Sequence, residues 1–248
     1  MAILNLTPDS FYDGCKNITN EFLQKKIQSF KYSDIIDVGA ESSRPFSNPI
    51  SYDEEIKRLS IFIDIVESIK KPLSIDSYKP EVIKYALNHG FNIINDISGG
   101  GIDNSNIKLA SIYNVPIIIM HMQGTPKTMQ IKPEYNNIID DIMFFFEKKI
   151  EIMKNEFHLK DDQIIIDPGI GFGKSKEDNY LILDNISKFK TLGYPVLIGL
   201  SRKSFLAINN NGPKNRKRVS LAAQSVAIAN GADYIRTHDV EETYKQLW

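Results

Sequence analysis

Polar side chains in this 248-residue sequence gather where short apolar runs stop. Asn5 closes the first run, and the second leads into Glu41-Ser42-Ser43-Arg44-Pro45. Asp76-Ser77, Asn95-Asp96, Met120-His121 and Asp167-Pro168-Gly169 close the next four, and the last two enter Ser201-Arg202-Lys203-Ser204 and Arg236-Thr237-His238. Asp76, Asn95 and Asp167 offer acceptors and one amide, a set suited to the edge of a flat heterocycle carrying adjacent N–H donors. Lys203 suits a ring oxygen or nitrogen on another edge. Arg44, Arg236 and His238 supply positive charge for a phosphate or pyrophosphate. Singly, these residues have plainer readings. Asp76, Asp96, Asp167 and Asp239 suit helix N-caps, and Asn95 suits a turn. His121 reads better as a histidine satisfied by its neighbours than as a ligand. Arg44, Lys203 and Arg236 could be surface charges, and Phe172 could be packing. Their shared position at the ends of successive runs is what argues for one site.

The runs themselves occupy residues 2–6, 35–38, 72–75, 92–95, 115–120, 164–166, 196–199 and 234–237. Most are β-branched and unalternating, as strands buried on both faces should be. Amphipathic stretches separate them. Ser51-Tyr52-Asp53-Glu54 reads as a capping box opening a helix to about Ile69, and Pro80 suits the first turn of the next, which Gly90 stops. Asn136 or Asn137 suits the cap of a long helix ending before Phe157, with Asp140 and Asp141 in its first turn. Gly231 follows a helix over residues 219–230, and Asp239 and Glu242 suit the cap of a short last one. Eight βα units fit a closed barrel or an open doubly wound sheet. The barrel is preferred, because the length is near the typical ~250 residues and because only a barrel brings the first and eighth strand ends to one mouth. We therefore expect a single-domain (β/α)8 barrel over residues 1–248, with its site at the strand C-termini.

Composition narrows the class. Hydrophobic content of 42% and charged content of 25% are ordinary globular values, so the chain has material for a core. A net charge of −1 gives no reason to expect nucleic acid or an anionic membrane as partner. One cysteine, Cys15, permits no internal disulfide, and with four histidines there is no zinc-type spacing. Without a signal-peptide pattern or a ~20-residue apolar run, the sequence reads as cytoplasmic. The Gly-x-Gly-x-Gly run in Asp167-Pro168-Gly169-Ile170-Gly171-Phe172-Gly173-Lys174 lacks P-loop spacing; it reads as a tight turn that lets backbone approach a ligand. Gly99-Gly100-Gly101 is a second glycine loop.

At these residues the sequence resembles the dihydropteroate synthase family. The resemblance is carried by Ile3-Leu4-Asn5-Leu6-Thr7-Pro8-Asp9-Ser10-Phe11, Asp37-Val38-Gly39-Ala40-Glu41-Ser42-Ser43-Arg44-Pro45 and Ile94-Asn95-Asp96-Ile97. It continues through Met120-His121-Met122-Gln123-Gly124-Thr125-Pro126, the segment from Asp167 to Lys174, Gly199-Leu200-Ser201-Arg202-Lys203-Ser204 and Arg236-Thr237-His238-Asp239-Val240. It implies a homodimeric eight-fold barrel that condenses 7,8-dihydropterin-6-ylmethyl diphosphate with 4-aminobenzoate, giving 7,8-dihydropteroate and pyrophosphate. It implies a pterin site of Asp76, Asn95, Asp167 and Lys203, with Arg236 stacking on the ring. Arg236 and His238, with Asn5 acting through a magnesium ion, resemble the diphosphate site. Ser43, Arg44, Pro45, Phe172 and Ser204 resemble the 4-aminobenzoate pocket, Ser204 at a helix N-terminus that favours the carboxylate. Arg44, Lys203, Arg236 and His238 are the side chains expected to bear on catalysis. The loops holding Asp9-Ser10-Phe11 and Ser43-Arg44-Pro45 resemble mobile loops that close over the second substrate.

Four departures from the family stand out. Ser43 replaces a usual Thr, Ala40 a common Gly and Cys15 a Gly, and Met1 begins directly at the first-strand motif, where relatives carry a short segment expected to cover the barrel floor. Two other functions share the pterin-edge residues: a pterin methyltransferase working with a corrinoid protein, and a pterin-binding barrel without turnover. The paired cationic segments at the last two strand ends favour the synthase, whose diphosphate and carboxylate both need such partners.

Overall fold

A computed structural model describes residues 1–7, 19–43, 47–129, 131–207 and 212–247. Eight short strands lie in these residues: β1 (Ala2–Asn5), β2 (Ile36–Gly39), β3 (Leu73–Asp76), β4 (Ile93–Asp96), β5 (Ile117–Met120), β6 (Ile164–Asp167), β7 (Leu197–Gly199) and β8 (Tyr234–Arg236). All pair in parallel, β1 through β6 in chain order and β7 with β8. Two further parallel bridges, Ile166 to Val196 and Ala2 to Thr237, join the two sets at both ends. Across the second seam Ile3 N donates to Thr237 O and Thr237 N to Met1 O, both at 3.0 Å. The sheet is therefore closed, and the expected barrel replaces the open-sheet alternative.

Nine helices alternate with the strands among the described residues: α1 (Asn20–Gln28), α2 (Tyr52–Val66), α3 (Pro80–Asn88), α4 (Ser105–Tyr113), α5 (Ile138–Asn155), α6 (Lys176–Asp184), α7 (Ile186–Lys190), α8 (Lys217–Ala229) and α9 (Val240–Leu247). Local chemistry sets most ends. Ser51 Oγ accepts from Glu54 N at 3.2 Å, but Glu54 turns its carboxylate to Arg58 Nε at 2.8 Å, so only half of the expected capping box forms. Asn137 is the cap of α5, its Oδ1 accepting from Ile139 N at 3.2 Å. Asp239 precedes α9, yet its carboxylate accepts two bonds from Arg202, and Glu242 pairs with Lys217, so both are drawn away from capping. No described helix is long and apolar enough to cross a membrane.

The period of two along each strand builds the site. Outward residues Ile36, Val38, Ile75, Ile94, Ile117, Ile119, Ile164, Ile166 and Ile198 join the core shared with the helices. A second apolar cluster, Met1, Ile35, Ile93, Ile118, Ile165 and Leu197 with Tyr234 against it, plugs the barrel from the N-terminal side. Two residues beyond members of that plug, on the same inward face, stand Asp37, Asn95, Met120, Asp167 and Arg236. The polar layer thus rests on a dry floor one pleat below, which fixes its depth and keeps water from reaching it from beneath.

Candidate active site

Arg236, at the end of β8, is the centre of the polar layer. Its Nε donates to Asp37 Oδ2 at 2.6 Å and one terminal nitrogen to Asp76 Oδ2 at 2.5 Å. Asn95 Nδ2 donates to the same Asp37 oxygen at 3.0 Å, which fixes the orientation of the amide and leaves its carbonyl oxygen as the acceptor end. Four strands, β2, β3, β4 and β8, therefore meet in one hydrogen-bonded group. Burial by itself would depress Arg236, but Asp37 and then Asp76 reverse that and raise it above its ordinary value. Burial pushes Asp76 up to about 7, against the pull of Arg236 and with help from the charge of Asp37. Interior ion pairs of this kind are poor sources of stability, so their retention points to a task.

On the other side of the mouth, Asp167 ends β6 and accepts from Gly169 N at 2.7 Å. Burial raises its pKa, opposed by Lys203. Lys203 follows β7, donates to Ile170 O, and holds its ammonium 4.5 Å from the centre of the Phe172 ring. Burial brings Lys203 down to about 8, with Asp167 opposing. The β6–α6 loop that carries Phe172 is pinned by Lys174. That buried ammonium reaches His121 Nδ1 at 3.1 Å, His121 O at 3.1 Å and Phe172 O at 2.9 Å. Burial, with the Lys174 charge beside it, takes His121 down to about 3, and burial takes Lys174 to about 7. His121 is thus satisfied by neighbours, as its sequence context suggested. Asp96 also keeps a structural role: Ser98 N, Ser98 Oγ, Gly100 N and Asn106 Nδ2 all donate to it, which shapes the turn after β4.

At the seam between first and last strands, His238 lies two residues beyond β8, and Asn5 ends neighbouring β1. Burial, then Arg236 and Arg202, bring His238 down to about 3. Without a ligand, a second cation beside Arg236 in this buried place is disfavoured. Ser204 is exposed and opens a single 3-10 turn, Ser204–Leu206, whereas α8 begins at Lys217; its expected helix N-terminus is this short turn. Ser43 is half-buried in the β2–α2 loop. That loop is anchored at its start by Glu41, which accepts from Tyr78 Oη at 3.1 Å and pairs with Lys79. Arg44, Pro45, Asp9, Ser10, Phe11 and Cys15 lie outside the described residues. Ala40 is buried and, among the described residues, is not one with a positive φ, so a side chain replaces the family's common glycine there without backbone strain.

Among the described residues no group of three or more His, Cys, Asp or Glu side chains could hold a metal ion. Asn5, which ends β1 at the seam with β8, offers an amide oxygen. Magnesium prefers oxygen ligands and is commonly held by one or two protein groups plus substrate phosphates. Asn5 fits that pattern and would hold the ion only together with a bound diphosphate. The residue missed in the sequence is Asp37, quoted within a motif but given no role. The signal was present: a carboxylate in the middle of the apolar run Ile35-Ile36-Asp37-Val38 has no reason to be buried unless it meets a cation.

Fold and site define a class: an α/β-barrel enzyme whose buried polar and charged side chains gather at the C-terminal mouth of its strands. A family described as "Pterin binding enzyme" matches residues 1–238. A dihydropteroate synthase from Synechocystis is 38% identical, over 97% of this chain and 85% of its own length. The dihydropteroate synthase of Yersinia pestis, solved as a sulfonamide drug complex, superposes with a TM-score of 0.92 at 35% identity, covering 100% of this chain and 90% of that one. That of Xanthomonas albilineans, solved with 7,8-dihydropteroate, has a TM-score of 0.87 at 30% identity, covering 100% and 90%. The chain belongs to the pterin binding enzyme family and, within it, to the dihydropteroate synthases, which are transferases.

Proposed function

We propose that this enzyme condenses 7,8-dihydropterin-6-ylmethyl diphosphate with 4-aminobenzoate to give 7,8-dihydropteroate and pyrophosphate. The observation that carries the reading is the convergence of Asp37, Asp76, Asn95 and Arg236 opposite Asp167 and Lys203 in one barrel mouth. Asp76, Asp167 and the Asn95 carbonyl accept from the N–H donors of the pterin edge, and Lys203 donates to a ring heteroatom. The second substrate is assigned to Phe172, Ser204 and Ser43, with Arg44 and Pro45 added by the family resemblance. The bond between the pterin methylene and the diphosphate oxygen breaks first, its electron pair leaving with pyrophosphate. Ring electrons support the positive charge left on carbon. The neutral arylamine then forms the C–N bond and releases one proton, so no strong base is needed before attack. Arg236 and His238 stabilise the departing charge, an electrostatic contribution. Magnesium, when bound by Asn5 and the diphosphate, supplies further neutralisation of that charge. Exclusion of water from the occupied mouth keeps it from capturing the cation.

The reading includes a cytoplasmic homodimer. Tyr180, Leu181 and Val226 are exposed apolar side chains on α6 and α8, which pack together, the kind of surface a second copy covers. Sedimentation at twice 28.2 kDa is expected, and a monomer at working concentration removes the dimer from the reading.

The deciding experiment measures pyrophosphate release with magnesium, the pterin diphosphate and 4-aminobenzoate, each omitted in turn. Release that requires both organic substrates, with dihydropteroate formed in equal amount, is the expected result. Absence of release in the presence of demonstrable pterin binding overturns it.

A further inference from the structure

The seam between β7 and β8 carries two contacts side by side. Ser201, buried just after β7, places its Oγ 3.2 Å from the backbone N of His238 and 3.0 Å from the ring Nδ1 of the same residue. One residue on, Arg202 grips Asp239 through Nε at 3.1 Å and a terminal nitrogen at 2.6 Å. Arg202 adopts φ +60°, and its N–H is held by Ser220 Oγ at 2.8 Å. This clamp fixes where Ser201 stands relative to His238.

The proton count at Ser201 is decisive. A serine hydroxyl has one hydrogen to give and lone pairs to receive. The His238 backbone N–H can only donate, so it uses a lone pair. The buried hydroxyl hydrogen then finds a partner only if Nδ1 accepts it, since a buried donor left unpaired is costly. An accepting Nδ1 places the proton of the neutral imidazole on Nε2. The opposite tautomer would turn a lone pair toward whatever the outer edge of the ring meets.

We infer that Ser201 is a positioning residue: it sets His238 as the Nε2–H tautomer and aims that N–H, as a neutral donor, at the diphosphate of the first substrate. The inference rests on the proposed function, which supplies the diphosphate. It gives His238 a defined part beside Arg236, whose Nε and one terminal nitrogen are already committed to Asp37 and Asp76. A polyanion arriving at this seam needs donors, and an imidazole locked in the donating form provides one without a second buried cation.

The test compares two ligands, the hydroxymethyl dihydropterin and its diphosphate, on the magnesium-loaded wild-type enzyme and on Ser201→Ala. The wild type is expected to bind the diphosphate more tightly; equal affinities overturn the diphosphate site itself and this assignment with it. Ser201→Ala is expected to lose about 10-fold in diphosphate affinity while the alcohol stays within about twofold, and Ser201→Thr is expected to restore the difference. Equal losses for both ligands, or none, overturn the inference while leaving the proposed reaction standing. Should Ser201→Ala not yield folded protein, Ser201→Cys, a near-isostere with a weak donor, is expected to show the same selective loss. With only four histidines in the chain, 15N-histidine labelling also reads the tautomer directly. Nε2–H is expected in the wild type and a mixture in Ser201→Ala; Nδ1–H in the wild type overturns the assignment.

Discussion

At the scale of single residues, the mouth of this barrel works by setting charges against one another. Lys203 shares its surroundings with Asp167, Ile170 O and the Phe172 ring. Lys203→Ala removes a charged donor and the strongest of the cations acting on Asp167, so pterin binding should weaken by about 1.5–3 kcal/mol. Calorimetric titration with a pterin checks this, and unchanged affinity removes Lys203 from the pterin site. Asp76 makes a second prediction. Its folded-state value of about 7 lies above the ordinary 3.8, so the folded protein binds the extra proton in between. Its contribution to stability is therefore present at low pH and is lost as pH rises towards 7. Protonation turns one of its acceptor oxygens into a donor, so pterin affinity should fall as pH drops below about 7. A flat pH profile in wild-type protein would mean that Asp76 does not accept from the ligand; the fall should vanish in Asp76→Asn.

At the scale of the element, the β6–α6 loop shows why its glycines are there. Gly169 has φ +70°, and a Cβ on it would lie 2.0 Å from His121 O, a backbone atom that cannot move aside. Gly169→Ala should therefore displace the loop, lowering stability by roughly 2 kcal/mol or more and weakening pterin binding, since Asp167 and Phe172 ride on the same segment. Denaturant unfolding and pterin titration on one sample check both effects; a normal loop with normal affinity would show that the backbone yields there. The sequence announced this loop through its Gly-x-Gly-x-Gly run but did not announce the role of Lys174, whose His121 partners lie on another strand's loop. Helix ends behaved similarly. Pro80, Asn137 and Gly231 act within their own turn and were readable, whereas α2 stops at Val66 instead of about Ile69, and Asp239 serves Arg202 in place of α9.

At the scale of the whole molecule, closure decides whether a site exists. Met1 and Ile3 exchange backbone bonds with Ile235 and Thr237, which brings Asn5 next to the segment carrying Arg236 and His238. A chain ending at Asp233 lacks that partner strand and exposes two unpaired parallel edges. It should show no cooperative thermal transition and should aggregate, as scanning calorimetry and light scattering would reveal. A cooperative transition in that truncated chain would mean that seven strands suffice.

The amino-acid sequence by itself determined the eight apolar runs, most of the helix starts and the type of chemistry at each strand end. Those features are local, set by strand period, cap residues and glycine, so neighbours in the chain suffice to read them. Only the tertiary structure decided that Asp37 holds both Arg236 and Asn95, that burial beside Arg236 disfavours a charged His238, and that Ser201 faces its ring. Each of these depends on burial and on a charge or hydroxyl brought in from a distant strand, across 199 positions for Asp37 and Arg236. The cost of burying a charge is a property of the closed barrel, and no run of neighbouring residues carries it.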